Sequence, residues 1–306
     1  MLTRAHVRAA AELAMTMSGL ERLARLRVRH GKLVLAYHNI VPPGETVAGD
    51  GSLHLAVSAF GAQLDALMRT HDILPLQDVL EAPHAARRRP LAAITFDDAY
   101  RGAVTCGVTE LAKRSLPATI FVAPAYIGGH SFWWDALSPS AVGLTPALRT
   151  QALESLGGDD EQIRNWAAQR GLMECPLPEH ALCATENELA EACRRYPGLT
   201  LGSHTWSHAN LPRLTPERVK SELTRPLEWL YNRFNTVIPV LSYPYGSSSP
   251  TVEVAAARAG YRAALCVNGG WMTNPTKNRF AIPRLNVPAG VTSRGFELRI
   301  AGMLCS

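Results

Sequence analysis

The six cysteines contain no C-x-x-C pair, and nowhere does the chain approach the roughly twenty apolar residues that span a bilayer. There is also no internal repeat and no low-complexity tract. Each absence excludes something. Cys106, Cys175, Cys183, Cys193, Cys266 and Cys305 lack the spacing of a zinc ribbon. A chain of 306 residues does not depend on disulfides for its core, so free thiols in a reducing compartment are expected. The first twenty residues hold no apolar stretch followed by a small-residue cleavage site, because Arg4, Arg8 and Glu12 interrupt the alanines. A cytoplasmic location is therefore expected. No basic segment is interleaved with aromatics, so nucleic acid is not an expected partner. Charged residues are sparse at 19% against 47% hydrophobic, which excludes a mainly disordered chain and supplies a real core.

What charge there is leans positive, with a formal net charge of +5. Arg22, Arg25, Arg27 and Arg29 form one cluster, and Arg87, Arg88 and Arg89 another. Ordinary solvated arginine explains such clusters. A second reading of the first is an Arg-rich amphipathic helix from Leu13 to Val28 that makes peripheral contact with a membrane.

Short apolar runs bounded by turns read as buried strands: Lys32 to Tyr37, Leu91 to Phe96, Ala118 to Val122, Leu199 to Gly202, Val240 to Tyr243, Ala263 to Val267 and Phe280 to Leu285. Helical stretches alternate with them. Ser58 to Thr70 has a period near 3.6 and a serine placed to cap; Arg101 to Arg114 follows a strand. Thr185 to Tyr196 opens with a capping-box pattern at Thr185 and Glu188. Thr215 to Phe234 has proline at its first turn, and Pro226 inside it predicts a kink or break. Thr251 to Ala259 ends at Gly260. This alternation predicts parallel α/β architecture, interrupted by a helical insertion over about 138–180.

Two clusters carry chemistry. Asp97 and Asp98 end a buried strand, where two adjacent carboxylates are costly unless a cation or hydrogen bonds compensate them. His204 and His208 follow another strand, three residues apart, so one helical turn would put both imidazoles on one face. Two nitrogens and one carboxylate suit zinc with an open position for water, and equally iron, cobalt or nickel. Such a set is a hydrolytic design, and the second aspartate is placed to take a proton from water.

In order along the chain, Thr95-Phe96-Asp97-Asp98, then His204-Thr205 with His208, then Pro244-Tyr245-Gly246 resemble the T-F-D-D, H-[ST]-x-x-H and P-[YF]-G motifs of the polysaccharide deacetylases. This is the NodB-homology, or carbohydrate esterase family 4, group. The resemblance runs from about Lys32 to the end. It implies a distorted (β/α) barrel of about seven parallel strands over 31–306, preceded by an N-terminal helical segment, 1–30. It also implies a metal-dependent hydrolase that removes acetyl groups from N-acetylated sugars, with an acetylated glycan as substrate. Asp98, His204 and His208 would hold a divalent metal, most naturally zinc, with cobalt or nickel as alternatives. Asp97 would be the general base, and the backbone amide of Tyr245 would help hold the oxyanion. Arg284 resembles the family arginine that orients the base; a structural salt bridge is its alternative. Ala99 stands where the family usually has glycine, which matters if the backbone there needs a positive φ.

Many members supply the general acid from a late histidine, and no histidine follows His208 here. His38 is the best candidate. It ends the first strand and resembles the Y-H-x-I element of a subgroup in which this histidine lines the site. Trp133 and Trp134 would line a glycan groove, and Trp271 would wall the acetyl pocket. His54, His71, His84 and His180 carry no functional signal, and His130 reads as a loop residue. Two other functions stay open: hydrolysis of another small amide or formyl group, and non-catalytic glycan binding on the same fold.

Overall fold

A computed structural model of the chain describes residues 4–83, 87–138, 143–273 and 278–303. His84 and Cys305 lie outside them, as does part of the insertion, 139–142. The strands are β1 (Lys32–Tyr37), β2 (Asn39–Val41), β3 (His54–Ala56), β4 (Asp72–Ile73), β5 (Leu91–Phe96) and β6 (Ala118–Val122). β7 (Leu199–Ser203), β8 (Val237–Ser242), β9 (Ala263–Leu265), β10 (Trp271–Met272) and β11 (Leu285–Asn286) follow. The main sheet runs β10-β1-β5-β6-β7-β8-β9, with β4 on β5 and β11 on β1. β10 is antiparallel to β1, and the remaining pairs are parallel. β1, β5 and β6 are buried at every position, which is why they read as continuous apolar runs rather than alternating ones.

The sheet curls toward closure through the segment 279–286. Ile282 bridges to Leu265 of β9, and Leu285 pairs with Leu35 of β1. The expected strand Phe280 to Leu285 is therefore realised only as this bridge and the short β11. Pro283 sits between them and has no N–H to give to a ladder. The result is a distorted barrel of mostly parallel strands with helices outside. The five described cysteines are free thiols, and among the described residues no helix is long and apolar enough to cross a membrane.

Several helices differ instructively from their sequence pattern. The expected single helix from Leu13 to Val28 is two, Arg4–Met17 and Leu20–Val28, broken where Gly19 takes a left-handed φ of 72°. Ser58 lies inside helix Val57–Thr70, whose N-cap is Ala56 with no side-chain cap. The capping box at Thr185 and Glu188 forms as expected. Pro226 does not break its helix, which runs unbroken from Pro216 to Tyr231. A proline in a helix interior frees the carbonyl four residues earlier. Here that carbonyl, Glu222 O, accepts the backbone N–H of Trp206 at 3.1 Å, so the freed acceptor is satisfied by a loop from elsewhere in the fold.

Candidate active site

Parallel register brings the strand C-termini to one edge, and the residues just beyond them meet there. Tyr37 pairs with Phe96, and Val122 with Ser203. His38 after β1, Asp97 and Asp98 after β5, and His204 after β7 therefore emerge together. With Tyr243 and Tyr245 beyond β8, and Trp133, Trp134 and Arg149 from the connection between β6 and β7, they line a cavity of ≈ 340 Å³.

Asp98, His204 and His208 are buried, and their ligand atoms all lie within 4.8 Å of one another. Nε2 of each histidine stands 3.4 Å from Asp98 Oδ1. His204 Nδ1 lies 2.8 Å from the carbonyl of Ser242. A carbonyl only accepts, so Nδ1 carries a proton, and in the neutral ring Nε2 is the nitrogen with the free lone pair. Asp98 Oδ1 and His208 Nδ1 are buried with no hydrogen-bond partner. A buried carboxylate oxygen left so is costly, and lone pairs converging on one point are what a divalent cation requires. The donor set therefore fits a metal.

The two histidines do not meet through a helical turn, as their spacing had implied. Residues 204–208 form a tight loop in which Thr205 and His208 take φ of 63° and 54°. Left-handed conformations cost non-glycine residues about 1–2 kcal/mol each, so something must hold the loop. Glu222 does. Its Oε2 accepts the backbone N–H groups of Trp206 and Ser207 at 3.0 and 2.9 Å, and its Oε1 accepts Ser207 Oγ at 2.7 Å. With the Glu222 carbonyl, one helical residue takes four hydrogen bonds from the loop. Sequence reasoning missed Glu222. The interior Pro226, four residues later, was the signal that its carbonyl would look for a partner outside the helix.

Asp97 is held from behind. Arg284, fully buried, donates Nη1 to Asp97 Oδ1 at 2.8 Å and Nη2 to Oδ2 at 2.7 Å, a bidentate pair. Ser242 Oγ adds a third bond to Oδ1 at 3.0 Å, and Arg284 also reaches Thr95 Oγ1 at 3.1 Å. Burial alone would raise the Asp97 pKa, but the charge of Arg284, with help from His204, holds it well below the usual carboxylate range. Asp98 behaves alike: burial opposes ionisation, and the His204 and His208 contacts outweigh it. Burial pushes the His208 imidazole down to about 3. Burial would also lower His204, but Asp97 and Asp98 raise it. His38 is lowered, mainly by burial, against the pull of Asp98 and Asp97. The pair thus stays ionised, and His38 and His208 stay neutral, near neutral pH.

At the end of β8, Tyr245 has φ 58° and ψ 10°, a left-handed residue in the tight turn Pro244–Gly246. Its hydroxyl donates to Gly158 O at 3.1 Å, tying the turn to the insertion. Ala99, at φ 51°, does occupy a backbone position that favours glycine, and Asp98 beside it has φ 71°.

Trp133 and Trp134 both line the cavity, and the Trp134 ring is 4.9 Å from that of His208. Trp271 does not. It pairs with Leu33 near the start of β1, at the end of the strand opposite His38, and its ring lies 5.5 Å from that of His71, tilted by 36°. Val267 lines the cavity instead. His54 and His180, which carried no signal, belong to a buried network. Asn39 Nδ2 contacts Nδ1 of both, at 2.9 and 3.1 Å, and His54 Nε2 reaches Asp135 Oδ1 at 3.0 Å. Tyr100 donates to Asp135 Oδ2 at 2.5 Å and accepts from Trp134 Nε1 at 3.0 Å. The network fixes Trp134 against the Asp98, His204 and His208 cluster; residues scattered between positions 39 and 180 gave no local pattern for it.

A family model described as polysaccharide deacetylase matches residues 84–264, more than half of the chain. A protein of Bacillus subtilis (strain 168), YxkH, assigned by name as a polysaccharide deacetylase, is 27% identical over 119 residues. That match spans 39% of this chain and 42% of the relative, so less than half of the relative's length is covered. Among solved structures, the Streptococcus pyogenes deacetylase PplD in complex with acetate superposes with a TM-score of 0.59 at 18% identity, covering 87% of this chain and 96% of that one. BC0361, a polysaccharide deacetylase from Bacillus cereus, gives 0.60 at 17% identity over 88% of this chain and 69% of that one. At such identities the two structures establish the fold.

Proposed function

The chain belongs to the polysaccharide deacetylase family, and from that premise we propose that it is a metal-dependent hydrolase removing acetyl groups from the N-acetylated sugars of a polysaccharide, oligosaccharide or glycan precursor. Residues 31–306 serve as the deacetylase domain, with the insertion at about 138–180, and 1–30 as an appended helical segment. The observation that carries the reading is the meeting of Asp98, His204 and His208 within 4.8 Å in the cavity that Asp97 also lines. Asp98, His204 and His208 would hold a divalent cation, zinc by ligand chemistry with cobalt or nickel also suited, which would supply polarisation of the acetyl carbonyl and a lowered pKa for water.

The chain's own groups account for the rest. Asp97 takes the proton from the attacking water. Arg284 and Ser242 fix its orientation and keep it ionised, at the cost of making it a weak base. The Tyr245 N–H donates to the developing oxyanion, and the left-handed turn presets its direction before substrate arrives. The leaving nitrogen needs a proton, and His38 lines the same cavity, so we place it as the donor. Its lowered pKa makes the protonated ring a strong acid that is scarce at neutral pH. Trp133 and Trp134 present apolar faces on which a pyranose ring stacks.

The test is acetate release from a panel of acetylated glycans, with and without chelator, and with zinc, cobalt or nickel restored. Release that chelator abolishes and metal restores supports the proposal. Metal-loaded protein that binds glycan but releases no acetate would replace it with glycan binding, the reading that the absence of any histidine after His208 favours. Formate or another small acid from a non-acetyl amide would instead identify the other hydrolase.

A further inference from the structure

We propose that helices Arg4–Met17 and Leu20–Val28 form a docking face for an anionic lipid bilayer. A surface helix ordinarily turns its apolar stripe to the core and its charges to water. This pair departs from that pattern, burying a carboxylate and exposing large apolar side chains beside its arginines. Glu12 is buried and accepts a 2.6 Å hydrogen bond from Thr292 Oγ1, the N-cap of helix Ser293–Ile300, where a carboxylate suits the positive end of the helix. Val28 is buried too. Leu13, Met17, Leu20, Leu23 and Leu26 face outward, between 42% and 79% exposed. They make up half of the large apolar side chains exposed among the described residues, gathered in one short segment.

Charge decides what covers this face. Arg25 pairs with Glu21 at 2.6 Å, while Arg22, Arg27 and Arg29 are exposed around the leucines. A second copy of the chain meeting this face about a two-fold axis would set arginines against arginines. A bilayer of anionic lipid supplies the opposite charge and a layer that accepts the leucines, and arginine side chains can lie along apolar surface with their guanidinium groups at the phosphates. The break at Gly19 is short, so the exposed apolar residues of both helices fall within one short stretch of chain. The proposal stands apart from the catalytic reading, since none of these residues lines the cavity.

The test is co-sedimentation of the full chain with vesicles of phosphatidylcholine alone and of phosphatidylcholine mixed with phosphatidylglycerol. Partition onto the anionic vesicles, weakened by salt and absent from the neutral ones, is expected. The Arg22→Gln/Arg27→Gln/Arg29→Gln variant should lose roughly a hundredfold in partition, at about fivefold per arginine near an anionic surface. The Leu20→Ser/Leu23→Ser/Leu26→Ser variant should lose binding comparably, with circular dichroism and acetate release unchanged. Failure of the wild-type chain to partition onto anionic vesicles would overturn the proposal. So would unchanged partition in the leucine variant. A concentration-dependent dimer that the leucine variant dissolves would assign the face to a second copy and equally overturn it.

Discussion

Glu222→Ala tests whether the histidine loop is held from outside itself. The carboxylate takes three hydrogen bonds from Trp206 and Ser207 and is buried. In the variant, Trp206 N–H keeps the Glu222 carbonyl at 3.1 Å, whereas Ser207 N–H loses its acceptor. Hydrogen bonds to charged groups are worth about 1.5–3 kcal/mol each, and relieving the buried carboxylate of its desolvation offsets part of the loss. A net cost of about 3 kcal/mol follows, which for a chain of this size lowers Tm by about 5 °C. The left-handed Thr205 and His208 would then relax and separate the imidazoles, so metal affinity should fall about 10–100-fold, as for other groups that orient ligands. Glu222→Gln keeps an acceptor for the two N–H groups and should cost about 1 kcal/mol. The assay pairs calorimetric Tm of the metal-free protein with zinc affinity by competition against a chelating dye. Wild-type zinc affinity in Glu222→Ala, whatever its Tm, would refute the claim that this residue positions the ligands.

Pro226→Ala would ordinarily stabilise a helix interior by about 3 kcal/mol. Because Glu222 O already accepts from Trp206, the gain should be under about 1 kcal/mol, and a Tm rise above about 4 °C would show that the loop contact counts for little. Asp97→Asn should keep zinc affinity within a few-fold while turnover falls about 10²–10⁴-fold; appreciable activity would remove Asp97 as the base. His38→Ala should likewise keep metal and lose most turnover, and full activity there would send the search for the proton donor elsewhere. His71, remote from the cavity, has its pKa lowered to about 3 from 6.5, chiefly by burial. The unfolded chain therefore binds the extra proton between those values, and stability present above about pH 6.5 is lost as pH falls, by up to about 1.4 kcal/mol per unit. His71→Gln should flatten urea-melt stability against pH in this window, and an unchanged slope would refute the assignment.

Much of the barrel was legible because its strands are encoded locally. Lys32 to Tyr37, Leu91 to Phe96 and Ala118 to Val122 are apolar throughout and bounded by turns, and they form strands with those bounds. The catalytic candidates were legible for a related reason. Parallel strands put their C-termini at one edge, so polar residues directly after apolar runs are brought together whatever the helices between them do. Shorter strands were less legible: β9 and β11 are set by pairing across the sheet and by Pro283, not by their own pattern.

The sequence by itself determined the α/β class, the main strands and the identity of the residues that meet at their ends. The tertiary structure alone decided how those residues are held. Whether Asp97 is ionised depends on Arg284, 187 positions later; whether the histidines converge depends on Glu222 in a separate helix; and Trp271, an aromatic read as walling the acetyl pocket, is carried away by its pairing with β1. Propensity and periodicity act over a few residues, whereas hydrogen bonds and ion pairs in a low-dielectric interior join whatever the fold places within about 3 Å.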